Sequence, residues 1–125
     1  QPEPATHGAT VRCVLESLAL LYAQRLKEAQ QLTGSPIKRL HIVGGGSRNA
    51  LLNQFTANAC SMEVIAGPTE ATALGNVLVQ AITLGDLPDL ASARQVVGQS
   101  MDVKSFQPKD SASWNAAKTR FKELT

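Results

Sequence analysis

Residues 37–60 switch hydrophobic period within a few positions, and this switch constrains the fold more than any other feature of the chain. "IKRLHIV" alternates and then becomes fully apolar, as a strand does when its second half is buried. Gly44, Gly45 and Gly46 follow without interruption. After Ser47-Arg48-Asn49, apolar residues at Ala50, Leu51, Leu52, Phe55 and Ala59 fit a helix ending near Cys60. A short second strand, "MEVIAG", stops at Gly67-Pro68. Strand, glycine turn, helix and strand in this order imply an α/β layer structure.

The flanking segments extend the same alternation. Val11, Val14, Leu15, Leu18, Leu21, Tyr22, Leu26, Ala29 and Leu32 recur in steps that mark a long amphipathic helix from Ala9 to about Leu32. Thr6 is its expected N-cap, and Gly34 with Pro36 closes it. Thr69 is expected to cap a third helix, with Glu70 in its first turn, that runs to about Leu84 and ends at Gly85. Ala71, Ala73 and Gly75 leave one side of that helix nearly smooth, so a close packing partner is expected there. Asp89 should cap a short fourth helix containing Val96 and Val97 and ended by Gly98. "VKSF" suits an edge strand. Asp110 should cap a last helix whose Trp114, Ala117, Phe121 and Leu124 share a core face. With no repeats or low-complexity segments, the 125 residues make one domain or most of one.

Composition removes several classes of function. Aromatic residues are only 4% of the chain, so the core must be built from Leu, Val, Ile and Ala. A formal net charge of +2 with no block of like charges is too weak to indicate nucleic acid or anionic lipid as the main partner. No apolar stretch approaches the roughly 18 residues of a membrane span. The start, "QPEPATHGAT", lacks the basic and apolar regions of a signal peptide. Residues 1–8 read instead as a Pro-rich linker inside a longer chain. Cys13 and Cys60 form no metal-binding spacing and are expected as two buried, reduced thiols of a cytosolic protein. His41, inside the apolar strand, is expected as a core histidine, and His7 carries no signal.

A strand that runs into glycines and then a helix N-terminus can hold phosphate: glycines let the backbone approach, amides point outward and the helix dipole favours negative charge. A P-loop would need Lys-Ser/Thr at the end of the turn, and "GGGSRN" has no lysine. A dinucleotide fingerprint would need glycine where Asn49 stands, and an acidic residue where the second strand ends in Ala66-Gly67-Pro68. Two readings remain open on the residues alone. One is a nucleotide-phosphate turn of the actin-like ATPase kind. The other is a turn whose glycines only allow a strand and a helix to pack tightly.

"LHIVGGGSRNALLNQFTANAC" followed by "VIAGPTEATALGNVLVQAITLGDL" resembles the C-terminal domain of the FGGY carbohydrate kinases. "RCVLESLALLYAQRL" before the glycines, and "ARQVVGQS" and "FQP" after them, continue the likeness in order. The resemblance implies part of a ribonuclease H-like (actin-like ATPase) domain, a mixed sheet with flanking helices. Residues 1–125 would then be part of the nucleotide-binding C-terminal domain of a two-lobed, cytoplasmic enzyme. That enzyme would use ATP and Mg2+ to phosphorylate a sugar, with the 1-hydroxyl of L-rhamnulose favoured over other ketoses or polyols. Carried over, Gly44, Gly45 and Gly46 would lie against the nucleotide's phosphates and ribose, Gly45 foremost. Asn49 would reach the adenine, or merely cap its helix. Ser47 would stand beside the nucleotide, and Arg48 would be solvated.

Glu70 would complement a helix dipole rather than act as base or metal ligand, and residues 71–75 would pack beneath the cleft. The catalytic aspartate, the sugar-binding residues and a first phosphate loop would belong to an upstream N-terminal lobe. The 125 residues alone should therefore be inactive, and they should tend to self-associate through surface that the other lobe covers. A non-catalytic α/β interaction module is the competing expectation.

Overall fold

A computed structural model describes residues 3–124, with the side chain of Leu124 outside the described part. In chain order the elements are α1 (His7–Thr33), β1 (Arg39–Ile42), a 3₁₀ turn (Gly45–Arg48), α2 (Ala50–Cys60), β2 (Glu63–Ala66), α3 (Ala71–Leu84), α4 (Leu90–Ser100), β3 (Lys104–Phe106) and α5 (Ser111–Leu124). The three strands form one mixed sheet in the order β1-β2-β3. β1 pairs parallel to β2, with Leu40 opposite Val64 and Ile42 opposite Ala66. β3 pairs antiparallel to β2, with Phe106 opposite Val64. Parallel neighbours need a crossover, and α2 supplies it.

Local chemistry accounts for most boundaries. The Thr6 hydroxyl accepts the Ala9 N–H at 3.1 Å, which starts α1 at His7, inside the stretch expected as linker. Gly34 ends α1 in the left-handed region (φ 64°) and donates to Gln30 O. Asp89 caps α4 by accepting from Ser92 N–H at 2.8 Å, a bond that holds its carboxyl below the usual range. Two expected boundaries are corrected. Thr69 does not cap α3: the first carbonyl to accept a helical bond is that of Glu70, from Leu74 N–H, so Glu70 occupies the N-cap position, without a side-chain capping bond. Gly98 does not end α4, which continues to Ser100 and closes where Met101 turns extended and donates to Val97 O. Before α5, the Asp110 carboxylate accepts the Ser113 hydroxyl at 2.9 Å.

The core sits between α1, α2 and α5. Ala19 and Leu20 of α1 meet Phe55 and Ala59 of α2, and Leu15, Ala23, Trp114, Ala117 and Phe121 close over them. Phe55 and Trp114 pack tilted with ring centroids 5.4 Å apart, a pair worth about 0.5–1.5 kcal/mol beyond its buried area. The Arg12 guanidinium lies 5.6 Å from the Phe55 ring centroid, where its charge meets the ring's negative face. Polar pins tie α2 to the segment before α5. Gln54 Nε2 donates to Gln107 O and to Asn58 Oδ1, and Asn58 Oδ1 also accepts the Lys109 N–H, each at 2.8 Å.

Helices cover one face of the sheet, and several expectations of burial are corrected. Burial alternates along the whole of β1 and β2, with Val64 and Ala66 on the covered face. His41 falls on the other face and is exposed, and Val43 beyond the strand is exposed too. Cys13 is exposed because the first turns of α1 project past the core, whereas Cys60 is half-buried; both thiols are free. Burial pushes the Cys60 thiol up to about 11. α3 contradicts the expected close packing within the chain: Ala73 and Gly75 are exposed, and a Cβ built on Gly75 meets nothing within 4 Å. Among the described residues α3 packs chiefly on α4.

On the open face Glu63 ties the three strands together. Its carboxylate accepts the Ser105 hydroxyl (2.7 Å), Gln107 Nε2 (3.0 Å) and Arg39 Nε (2.7 Å), and these bonds, the Ser105 hydroxyl first, lower its pKa. A lowered folded-state pKa contributes stability above the ordinary value of 4.5 and loses it as pH falls further. Glu63→Gln should therefore flatten the fall of the urea midpoint on acidification below about pH 4.5, with little change in slope near neutrality. Gly67 makes a second prediction. Its φ is +117°, and an added Cβ would stand 2.8 Å from the Asp102 carbonyl oxygen. Gly67→Ala should cost about 2 kcal/mol or more in urea unfolding of the full-length protein, whereas Gly45→Ala should stay within about 0.5 kcal/mol.

Candidate functional site

The glycine turn lies where β1 ends and α2 begins, and its shape follows from a few hydrogen bonds. Gly44 takes φ 75° and ψ −164°, a conformation that suits glycine, and donates its N–H to Pro68 O at 3.1 Å. Gly67 N–H donates to Ile42 O at 2.8 Å. The turns after β1 and β2 are thereby tied side by side. Ser47 closes the 3₁₀ turn through both its N–H (3.0 Å) and its hydroxyl (2.7 Å), which donate to Gly44 O.

The remaining predicted residues divide by what they can still offer. Gly45 and Gly46 are exposed, and their N–H groups are the first of a 3₁₀ turn, the ones such a turn leaves without an internal acceptor. A Cβ on Gly45 would meet nothing within 4 Å, so the fold itself does not require glycine there. Gly46 would come no closer than 4.0 Å to Ile42. Asn49 performs its capping role: Oδ1 accepts the Leu52 N–H at 3.0 Å, so only Nδ2 remains to face outward. Ser47 has committed its hydroxyl proton inside the turn. Arg48 is exposed at the end of the turn, as expected. Glu70 is exposed beside Thr69, whose carbonyl approaches Gly44.

The arrangement is therefore a solvent-facing turn that presents backbone donors at the N-terminal end of a helix, where the dipole adds positive potential. It suits an anionic group with several acceptor oxygens. Sequence reasoning missed two residues that hold it in shape. Asn53 is fully buried and donates Nδ2 to Ser47 O at 2.8 Å, and its Oδ1 has no partner among the described residues. Gly67 leaves room for Asp102. No local pattern singled out Asn53, since Asn49 before α2 and Gln54 and Thr56 on it are polar as well. Nothing near Gly67 in the sequence announced Asp102.

The family model of the FGGY family of carbohydrate kinases, C-terminal domain, matches residues 1–84. The chain belongs to this family. Its C-terminal domain is ribonuclease H-like, and the mixed three-stranded sheet with five helices is part of such a domain. A rhamnulokinase of Bacteroides thetaiotaomicron is 52% identical over 122 residues, covering 98% of this chain and 25% of the relative. A rhamnulokinase of Klebsiella pneumoniae is 48% identical over 108 residues, 86% of this chain and 22% of the relative. The chain thus spans about a quarter of the length of these curated relatives.

Asn53 offers a direct test of how the turn is held. Asn53→Leu removes the bond to Ser47 O together with the unpartnered Oδ1, so the net cost should be modest, about 1–2 kcal/mol. Amide exchange should accelerate at Ser47 and Asn49, whose N–H bonds close the turn, and stay unchanged in α5.

Proposed function

We propose that this chain is part of the C-terminal, nucleotide-binding domain of a two-lobed cytoplasmic sugar kinase that uses ATP to phosphorylate L-rhamnulose at its 1-hydroxyl. The observation that carries this reading is the match, over 98% of the chain at 52% identity, to a protein named rhamnulokinase. Membership of the FGGY family supports the reaction class. The glycine turn supports the placement of the nucleotide, because Gly45 and Gly46 offer open donors at a position where the fold makes no demand for glycine.

On this reading the Gly45 and Gly46 amides donate to phosphate or ribose oxygens, and Gly44 fixes the direction in which they point. Asn49 Nδ2 donates toward the base, while its Oδ1 keeps α2 capped. Arg48 adds positive potential at the rim. Mg2+ on ATP would neutralise phosphate charge. Among the described residues no group of three or more His, Cys, Asp or Glu could hold a metal ion.

Four carboxylates of this part have structural tasks: Glu63 ties strands, Asp89 caps α4, and Glu16 and Glu28 pair with Arg12 and Arg25. The family resemblance puts the base that takes the sugar hydroxyl's proton in the upstream lobe, and on this reading these 125 residues are inactive alone. Closure of the two lobes would exclude water as a competing acceptor. No helix among the described residues is long and apolar enough to cross a membrane.

The alternative, a non-catalytic interaction module, has α3 in its favour. Val77, Val79 and Leu84 are 63%, 58% and 79% exposed on a helix with little packed against it. In the kinase the same surface meets the rest of the longer chain, and in the isolated 125 residues it drives self-association. One experiment separates the two readings. Gly45→Val in the full-length protein should leave its melting profile within a few degrees of the parent, but weaken ATP binding about tenfold or more, since the added side chain occupies the space a phosphate needs. ADP release with L-rhamnulose, L-fuculose, D-xylulose and glycerol as separate acceptors then identifies the sugar, with L-rhamnulose preferred. Unchanged ATP binding in the variant overturns the site, and preference for another acceptor overturns the substrate alone.

A further inference from the structure

A well-formed groove of the described residues does not touch the glycine turn. It lies at the other end of α2, about 16 Å along that helix, between α1 and α5. It is a groove of about 690 Å³, within the range of small-molecule sites. Leu20, Leu26, Ala59, Met62 and Phe121 give it an apolar floor. Lys27, Lys118 and Lys122 stand around it, and none of the three forms an ion pair among the described residues. Lys118 is the best held: its Nζ donates to Asn115 Oδ1 at 3.2 Å and to Ser61 Oγ at 3.4 Å, both neutral groups. Gln24 also lines the groove. Its Nε2 is committed to Glu28, while its Oε1 is shielded and has no partner among the described residues.

We propose that this groove is a second ligand site, separate from the nucleotide site, for a small organic anion that has an apolar face. Three unpaired cations around one concavity repel each other, and a bound anion removes that repulsion while gaining charge-assisted hydrogen bonds. The apolar floor contributes by losing water to the ligand's carbon face. Neutral or cationic ligands would leave the repulsion among the lysines in place. Burial pushes the Cys60 thiol up, in keeping with an apolar floor. The proposal does not depend on the kinase reading.

The probe is anilinonaphthalene sulfonate, an aromatic sulfonate that carries an N–H and brightens on leaving water. It is titrated into the full-length protein with saturating ATP present, so that the glycine turn cannot be what it occupies. Saturable binding is expected, weakening with added salt. The double variant Lys118→Gln, Lys122→Gln should raise the Kd about tenfold or more, and Lys118→Arg, Lys122→Arg should hold it within about threefold. Lys118 is half-buried and Lys122 exposed, and circular dichroism checks that the variants fold. Three results overturn the site. They are no saturable binding, a Kd indifferent to the glutamine pair (dye resting on the exposed valines of α3), and equal loss in the arginine pair.

Discussion

Two backbone hydrogen bonds at the ends of neighbouring strands govern the rest of this structure. Gly67 N–H reaches Ile42 O at 2.8 Å, and Gly44 N–H reaches Pro68 O at 3.1 Å. The first extends the parallel ladder one step beyond Ala66. The second binds the turn after β1 to the turn after β2. Together they fix where α2 begins and which way its first amides face. The arrangement tolerates nothing larger than hydrogen at Gly67, because the Asp102 carbonyl passes across it on the way into β3. One glycine therefore lets a third strand join the sheet, and another lets the chain leave the first strand toward a helix.

Behind the turn, small residues set the spacing of the helix layer. Ala19 of α1 and Ala57 and Ala59 of α2 have no exposed surface. Their size allows the backbones to approach, and the larger Phe55 and Trp114 fill what remains. With few aromatics available, this close approach does the work that bulk does in other cores. The polar residues of α2 are arranged by the same geometry. Asn58 and Gln54 face the segment before α5, where backbone groups need partners, and Asn53 faces the glycine turn, whose Ser47 carbonyl needs one. α2 is thus both the crossover of the sheet and the support of the turn.

Function and exposure are linked through what lies outside these residues. The turn offers donors to solvent, and α3 offers Val77, Val79 and Leu84 to solvent. Both make sense for a chain that spans about a quarter of its relatives. In the proposed two-lobed kinase a cleft would take one wall from each lobe, and an apolar helix at a lobe's edge would have a neighbour. The groove at the far end of α2 is different in kind, since its cations lie on the two outer helices rather than beside the sheet.

What the sequence by itself determined is what can be settled within a turn or two of chain. Thr6, Asn49 and Asp89 cap helices through acceptors three residues from their donors, and Gly34 and Gly85 stop helices by taking positive φ. The periods of α1 and α2, the two parallel strands, the phosphate-compatible turn and the family were legible for the same reason, since each is written in consecutive residues. Tertiary structure decided which faces are covered. Period two places His41 opposite Leu40 and Ile42, but only the position of the helices makes that face open. The smooth side of α3 raised the expectation of a close neighbour, and among the described residues none packs there. Gly45 drew attention inside a run of three, yet the glycine the fold cannot replace is Gly67, because the atom that excludes a side chain there belongs to Asp102, on a distant part of the chain. Asn53 owes its role to the Ser47 carbonyl in the same way. Contacts of this kind exist only after the sheet and helices have assembled, and no local pattern encodes them.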